Sequence, residues 1–279
     1  MSAPEFDLQA HSTRSDGALE PAAVVATAAA AGVRLLALTD HDTVDGVPEA
    51  LAAGRDHGVD VVPAIEVSAV PSGAPADVHV LGYRIDDDSP ELAAALQGWQ
   101  ADRALRIERM ADRLEELGFE LDRTELEARR AAGEPLGRPH LAAAVRDRPD
   151  GFFEEYLVPG APAFVPRTTP SVAEAIAVIH AAGGVAVWAH PFWDVSEPQE
   201  VLATLERFVA LGLDGVEVFY STHTEAQVAL LAERCARDRL LQTGSADFHG
   251  PDHEHFDRFR AFQLYGHEPV LGPIAPGWN

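Results

Sequence analysis

Short apolar runs alternate with alanine-rich helical stretches along this chain, and this alternation limits the fold more than any other feature. Runs such as RLLALTD, VDVVPAIEVS, DVHVLGYRI and GVEVFY have the length and composition of buried strands. The stretches between most of them are typical of helices, one of which is entered through Pro21. Strand–helix alternation predicts an α/β fold, and a count of about seven strands predicts a barrel with its site at the carboxyl ends of the strands.

The alternation is interrupted between residues 89 and 166. This segment is long, charged and helical in character, with arginine-rich and acidic stretches punctuated by proline and glycine. We interpret residues 89–166 as a helical insertion. Residues 1–88 and 167–279 are then expected to form one barrel domain.

Composition and charge exclude several classes of protein. The net charge of −24 argues against a protein that binds long nucleic acid, since neutralising phosphates requires clustered positive charge. No run approaches the roughly 18 apolar residues of a membrane helix, and the first ten residues lack the features of a signal peptide. We therefore expect a cytoplasmic protein without a membrane partner.

A single cysteine, Cys235, excludes an internal disulfide and a thiolate metal site. Nothing in the sequence predicts the oligomeric state.

Imidazole and carboxylate side chains lie within or just after most of the predicted strands. They are His11, Asp16, His41, Glu66, His79, His190, Asp247 and His249. Because the strand ends of a barrel converge on one face, we expect these side chains to lie close together. Oxygen and nitrogen ligands without sulfur suit zinc, manganese or iron. The sequence thus predicts a metal site.

The chain contains no lysine, which limits how neighbouring metal ions could be bridged. Closely spaced cations repel each other, so a shared carboxylate is needed to offset their charge. One barrel chemistry uses a carboxylated lysine for this purpose, and that route is closed here. Glu66 and Asp247 are the remaining bridges, and a carbon–nitrogen hydrolase of the amidohydrolase type is disfavoured.

Several segments, taken in order, resemble the successive motifs of the PHP (polymerase and histidinol phosphatase) superfamily. They are DLQAHSTRSDG, LALTDHDTVDG, AIEVS, VHVLGY, GRPHLA, VAVWAHP, VEVFYSTHT and TGSADFHG. More narrowly, they are similar to its stand-alone phosphoesterases acting on AMP or nucleoside 3',5'-bisphosphates. The resemblance runs from about Phe6 to Gly250 and implies a distorted (β/α)7 TIM-like barrel with a small helical insertion.

The resemblance also implies two to three divalent metal ions, with manganese, iron or zinc expected and magnesium possible. The first ion would take Gln9, His11, Glu66 and Asp247. The second would share Glu66 and add His79 and His190, and the third would take Asp16, His41 and His249. Two further acids, Asp7 and Asp40, are implied to orient imidazoles.

Gln9 departs from the family pattern, which has a histidine at this position. A glutamine oxygen can bind a metal, but it is neutral and harder than an imidazole nitrogen. We therefore predict a weakened first site, with partial occupancy or a preference for manganese, magnesium or iron over zinc. The substitution is also compatible with an inactive protein.

The resemblance implies a metal-dependent phosphoric monoester hydrolase in which a metal-activated hydroxide attacks a small nucleotide. The residues expected near the reacting atoms are Asp247, His249, His41 and Arg138. Those expected to bind the substrate are Arg138, His140, His223 and Arg14, which would make the insertion a lid. Arg138 as a solvated residue and His223 as a structural one are the competing interpretations. Two other functions stay open, namely a catalytically impaired metal- or nucleotide-binding protein and a short-oligonucleotide 5'-3' exonuclease.

Overall fold

A computed structural model describes residues 4–71, 78–133 and 136–278 of the chain. Asp77, the first residue of the predicted fourth strand, lies outside the described residues. So do residues 134 and 135 of the predicted insertion.

The described residues form one sheet whose strands follow each other in chain order. The strands are β1 (Phe6–Asp7), β2 (Leu35–Leu38), β3 (Asp60–Ala69), β4 (Val78–Tyr83), β5 (Val185–Trp188), β6 (Gly215–Tyr220) and β7 (Leu241–Ser245). The amide of Leu8 donates to the carbonyl of Gly244 at 3.1 Å, and a bridge joins Ala10 to Phe248. These contacts bring the first strand beside the last, so the sheet nearly closes and the predicted barrel is confirmed.

The distortion of the barrel lies at β4, which pairs antiparallel with both β3 and β5. The other neighbouring strands pair in parallel. Only residues 70–77 separate β3 from β4, and a parallel crossover needs about a dozen residues or more. The chain therefore turns back, and the start of β4 lies at the same end of the barrel as the end of β3.

Ten α-helices of the described residues lie between the strands in the chain. They are α1 (Pro21–Ala30), α2 (Val47–His57), α3 (Pro90–Glu116), α4 (Thr124–Ala132), α5 (Arg138–Ala144), α6 (Phe152–Tyr156), α7 (Val172–Ala181), α8 (Pro191–Asp194), α9 (Pro198–Ala210) and α10 (Glu225–Asp238). Reciprocal side-chain caps start α7 at Ser171 and α10 at Thr224. The buried faces of α7, α9 and α10 share one apolar core with the strands.

No helix in the described ranges is both long enough and apolar enough to cross a bilayer.

Helices α3 to α6 fall within the predicted insertion, and they have an apolar core of their own. It includes Met110, Leu114, Leu141, Phe152 and Leu157. A separate core indicates that this segment packs largely against itself. The boundaries of the insertion at residues 89 and 166 stay a prediction.

Candidate metal centre

Glu66 lies at the centre of the polar cluster at the mouth of the barrel, and it is fully buried. Its Oε1 lies 2.7 Å from His79 Nδ1 and 3.2 Å from His190 Nε2. Its Oε2 lies 3.0 Å from His11 Nε2 and accepts a hydrogen bond from Gln9 Nε2 at 2.9 Å. One carboxylate thus gathers side chains from three other strands or their ends.

The antiparallel course of β4 explains how His79 reaches this carboxylate. His79 is the second residue of β4 and pairs in register with Ser68 near the end of β3. Were β4 parallel, its first residues would lie at the opposite end of the barrel. Glu66 lies inside its strand and not after its end, because β3 continues to Ala69.

A second carboxylate, Asp16, faces two imidazoles from other segments. Its oxygens lie 3.6 Å from His41 Nε2 and 3.7 Å from His249 Nε2. The ring of His11 stacks on the ring of His249 with 4.2 Å between centroids. This cluster therefore shares His11 with the cluster around Glu66.

In the described part of the chain, three groups of these side chains bring potential ligand atoms within 4.8 Å of one another. The groups are His11, Asp16, His41 and His249; His41, Glu66 and His79; and His11, Glu66 and Asp247. Shared members make them one continuous site. The residues that the family resemblance assigned to three ions thus lie together, while their assignment to particular ions stays a prediction.

The donor atoms of this cluster fit divalent cations. Two of its buried atoms, His41 Nδ1 and His190 Nδ1, have no hydrogen-bond partner among the described residues, and two more, His11 Nε2 and Asp247 Oδ1, lie 3.1 Å apart without good hydrogen-bond geometry. An unpaired buried polar atom is costly, and a cation would satisfy such nitrogen and carboxylate atoms together. Nitrogen and oxygen donors without sulfur are those that zinc, manganese and iron accept.

The pKa directions of three of these residues also favour cations. Burial alone would raise the pKa of Glu66, but the nearby imidazoles of His41 and His79 lower it well below the usual value. Burial opposes ionisation of Asp247 too, yet His249 and His11 lower its pKa to about 2. For His41, burial is the largest cause and lowers the pKa to about 4. Ionised carboxylates and a neutral imidazole are the forms that bind metal.

The two acids expected to orient imidazoles instead hold backbone segments that carry the cluster. Asp40 accepts hydrogen bonds at 2.7 Å from the amide and hydroxyl of Ser12 and from the hydroxyl of Ser15. Asp7 accepts from the amides of Ala246 at 2.9 Å and Arg260 at 2.7 Å. Each carboxylate therefore fixes a loop on which ligand residues sit.

Glu217 and Tyr220 support the cluster from β6, a role that the sequence pattern did not predict. Both are buried. The hydroxyl of Tyr220 donates to Asp247 Oδ2 at 2.8 Å, and Glu217 accepts from the amide of His190 at 2.8 Å and from Ser245 Oγ at 2.5 Å. A glutamate inside the apolar run VEVFY is the signal that could have found it, because a buried carboxylate needs partners.

Asp42 follows the second strand in the motif LTDHD without a predicted role, and in the structure it joins the barrel mouth to the insertion. It is buried, with a left-handed backbone (φ 55°), and its side chain accepts from the amide of Ser68 at 2.9 Å. Its other oxygen pairs with Arg103 of α3 and lies 3.4 Å from Arg167 Nη1. This buried ion-pair network ties α3 to the strand ends that carry the predicted metal ligands.

The predicted substrate-binding residues are dispersed. Arg138 lines the cavity above the cluster, where its guanidinium lies 5.6 Å from the Phe153 ring. His140 Nδ1 accepts from the amide of Gly137 at 3.1 Å, and His223 Nδ1 donates to the carbonyl of Val218 at 2.9 Å. Arg14 pairs with two surface glutamates, Glu49 at 3.1 Å and Glu20 at 3.3 Å. Only Arg138 of these lines the described cavity.

Gln9 is held by two neighbours. Its Nε2 donates to Glu66, while its Oε1 lies 3.4 Å from Ser245 Oγ. Because its nitrogen is committed to Glu66 and an amide offers only its oxygen to a metal, we expect Gln9→His to bind more metal per chain than the wild type. Elemental analysis of dialysed protein measures this, with Gln97→His, an exposed position on α3, as the control. Equal metal content in Gln9→His and wild type would contradict the prediction.

Known proteins resemble this chain along most of its length. The PHP domain model matches residues 7–100. A 3',5'-nucleoside bisphosphate phosphatase from Chromobacterium violaceum is 35% identical over 98% of this chain and 95% of its own length. A 5'-3' exoribonuclease from Haemophilus influenzae is 34% identical over 88% of this chain and 90% of its own.

A solved structure of similar fold comes from Chromobacterium violaceum and is described as an amidohydrolase with bound sulfate and no metal. It superposes with a TM-score of 0.79 at 32% identity and covers 97% of this chain and 93% of its own. Relatives this similar along nearly their full length share a family with this chain, whatever their individual reactions. The protein belongs to the PHP domain family.

Proposed function

We propose that this protein is a metal-dependent phosphoester hydrolase that releases phosphate from a small nucleotide, such as AMP or a nucleoside 3',5'-bisphosphate. The observation that carries the proposal is that Glu66, His79, His190 and Asp247 line one cavity with Arg138 on its wall, while the buried His11 contacts Glu66 and Asp247 from behind. Divalent ions held by these residues would acidify water and offset the charge that develops on the phosphoryl oxygens. The relatives named above that act on phosphoesters support the same class of reaction.

The chain's own groups then have distinct tasks. Arg138 presents a guanidinium, which can bind phosphate through two parallel hydrogen bonds. Tyr220 holds the carboxylate of Asp247 in place, and the Nδ1 of His249 donates to the carbonyl of Asp247 at 2.7 Å. That bond places the ring proton of His249 on Nδ1. The Nε2 atom, which faces Asp16, is then the nitrogen whose lone pair can bind a metal ion.

The size and charge of the molecule favour a small substrate. The cavity has a volume of about 360 Å³, in the range of sites that bind small molecules. Residues of the predicted insertion, among them Phe153, Val158 and Phe164, line one side of it. A net charge of −24 repels a long polyanion.

A second candidate is removal of nucleotides from the 5' end of a short oligonucleotide. It is favoured by the similarity to the Haemophilus influenzae exoribonuclease over 88% of this chain. In both reactions a metal-activated hydroxide would attack a phosphorus atom. They differ in whether a further nucleotide must extend out of the cavity.

A phosphate-release screen with metal analysis of the same sample tests the proposal. AMP, an adenosine 3',5'-bisphosphate and a short 5'-phosphorylated oligoribonucleotide are each incubated with the protein, with and without added manganese. We expect phosphate from at least one mononucleotide, and its loss after chelation. Mononucleotides released only from the oligomer would favour the exonuclease, and bound metal with no turnover of any substrate would overturn both.

A further inference from the structure

One wall of the cavity is aromatic, and apart from the hydroxyl of Tyr220 its side chains have no task in the phosphoryl chemistry. The rings of Trp193, Tyr220 and Phe256 form a triangle, with centroids 5.4 Å apart for Trp193 and Phe256, 6.1 Å for Tyr220 and Phe256, and 6.3 Å for Trp193 and Tyr220. All three line the cavity. Phe256 is 8% and Tyr220 2% exposed, whereas Trp193 is 48% exposed. A buried pair of rings thus supports an indole that is open to solvent.

The aromatic wall is fixed to the metal centre itself. The hydroxyl of Tyr220 donates to Asp247 at 2.8 Å, and its ring lies 5.3 Å from that of His190. The carbonyl of Phe256 accepts from the amide of His249 at 3.0 Å, and the two rings lie 5.4 Å apart. The distance between the wall and any group bound at the metal centre is therefore set by rigid contacts.

The other groups lining the cavity have a different chemistry. Arg138 carries positive charge, and its guanidinium lies 5.6 Å from the ring of Phe153 and 5.9 Å from that of Phe164. The cavity therefore combines a guanidinium, a separate apolar surface of flat rings and a floor of imidazole and carboxylate side chains, which would bind an anionic group through divalent ions held there. A ligand that complements all three has an anionic group joined by a short spacer to a planar apolar ring.

An exposed tryptophan has no meaning by itself, since single apolar side chains on a protein surface are common. Trp193 differs from such residues because it opens into the cavity that holds the metal-site side chains. By contrast, Leu117 is equally exposed at 48% but does not line that cavity.

We propose that Trp193, supported by Phe256 and Tyr220, stacks on the nucleobase of the substrate and so selects nucleotides over phosphates that lack a base. This inference rests on the proposed function and names the part of the molecule that recognises the base. Stacking on an aromatic side chain accepts every base, because each base has a π face. The wall therefore selects a class of substrate and not a particular base.

Two ligands separate base recognition from phosphate chemistry. One is an adenosine phosphonate, in which carbon replaces the ester oxygen so that the bond to phosphorus cannot be hydrolysed, and the other is ribose 5-phosphate, which has no base. We expect Trp193→Ala, as purified with its metals, to bind the phosphonate about tenfold more weakly in calorimetry. The ratio of kcat/KM for AMP to that for ribose 5-phosphate should fall by a similar factor.

Three further variants test whether an aromatic ring is what matters. Trp193→Phe should keep most of the affinity, Trp193→Leu should lose it like Trp193→Ala, and Leu117→Ala should match the wild type. Unchanged phosphonate binding in Trp193→Ala, or an equal loss of turnover with both AMP and ribose 5-phosphate, would overturn the inference. If the wild type hydrolyses neither substrate, the proposed function fails, while phosphonate binding still tests the stacking.

Discussion

We expect Glu66→Gln to remove the proposed phosphatase activity and to lower the metal content of the protein, which is the largest effect expected from a single substitution. Glu66 is buried and faces His11, His79 and His190 within 3.2 Å. The amide keeps the size of the side chain but loses the negative charge that offsets the cations. We expect kcat/KM to fall by about 1,000-fold or more, since metal ions contribute several kcal/mol to such reactions.

Elemental analysis and phosphate release, measured on the same preparations, check this result. Glu200→Gln, an exposed position on α9, serves as the matched control and should behave as the wild type. Circular dichroism of both variants after chelation separates loss of metal from loss of fold. A folded Glu66→Gln protein with wild-type metal content and activity would show that Glu66 is not part of the metal centre.

Arg138→Ala is expected to reduce kcat/KM for a nucleotide by about 100-fold, mainly through the contact with phosphate. Hydrogen bonds to charged groups contribute about 1.5–3 kcal/mol each, which corresponds to factors of about 10 to 150. The guanidinium also stacks near Phe153 and Phe164 and donates to the carbonyl of Leu157 at 3.3 Å. Arg138→Lys should recover only part of the loss, because lysine keeps the charge but not the planar, paired donors.

Steady-state kinetics of these two variants and of Arg146→Ala test the assignment. Arg146 is exposed and lies 3.8 Å from Asp122, outside the cavity lining. It therefore reports on the general effect of removing an arginine near Arg138 in the chain. Wild-type kcat/KM in Arg138→Ala would show that this residue does not hold the substrate, and the proposed lid would lose its main support.

The strand pattern and the residue types could be predicted before any coordinates, for a local reason. A buried strand needs a run of apolar residues wherever it lies in the barrel, and α7 and α10 announce their starts through capping residues next to them in the chain. His41, His190 and Asp247 could be predicted because barrel strands converge at their carboxyl ends. Those rules need no knowledge of which side chains meet.

Other parts of the site depend on contacts between residues far apart in the chain. The direction of β4 places His79 beside Glu66, and the short segment 70–77 was the one sequence signal for it. The pairing of Asp42 with Arg103 joins residues 61 positions apart. Packing decides such pairs, and periodicity carries no information about them.

Gln9 and Trp193 show the same division between local pattern and tertiary contact. The sequence alone shows a glutamine where the PHP pattern has a histidine. It also shows a tryptophan two residues after His190-Pro191. Only the folded chain places the amide between Glu66 and Ser245 and the indole at the open side of the cavity. Local sequence determines which chemical groups are available, because backbone propensity and strand length are local properties. Tertiary packing determines what those groups touch, and in this protein it decides which of them meet at the mouth of the barrel.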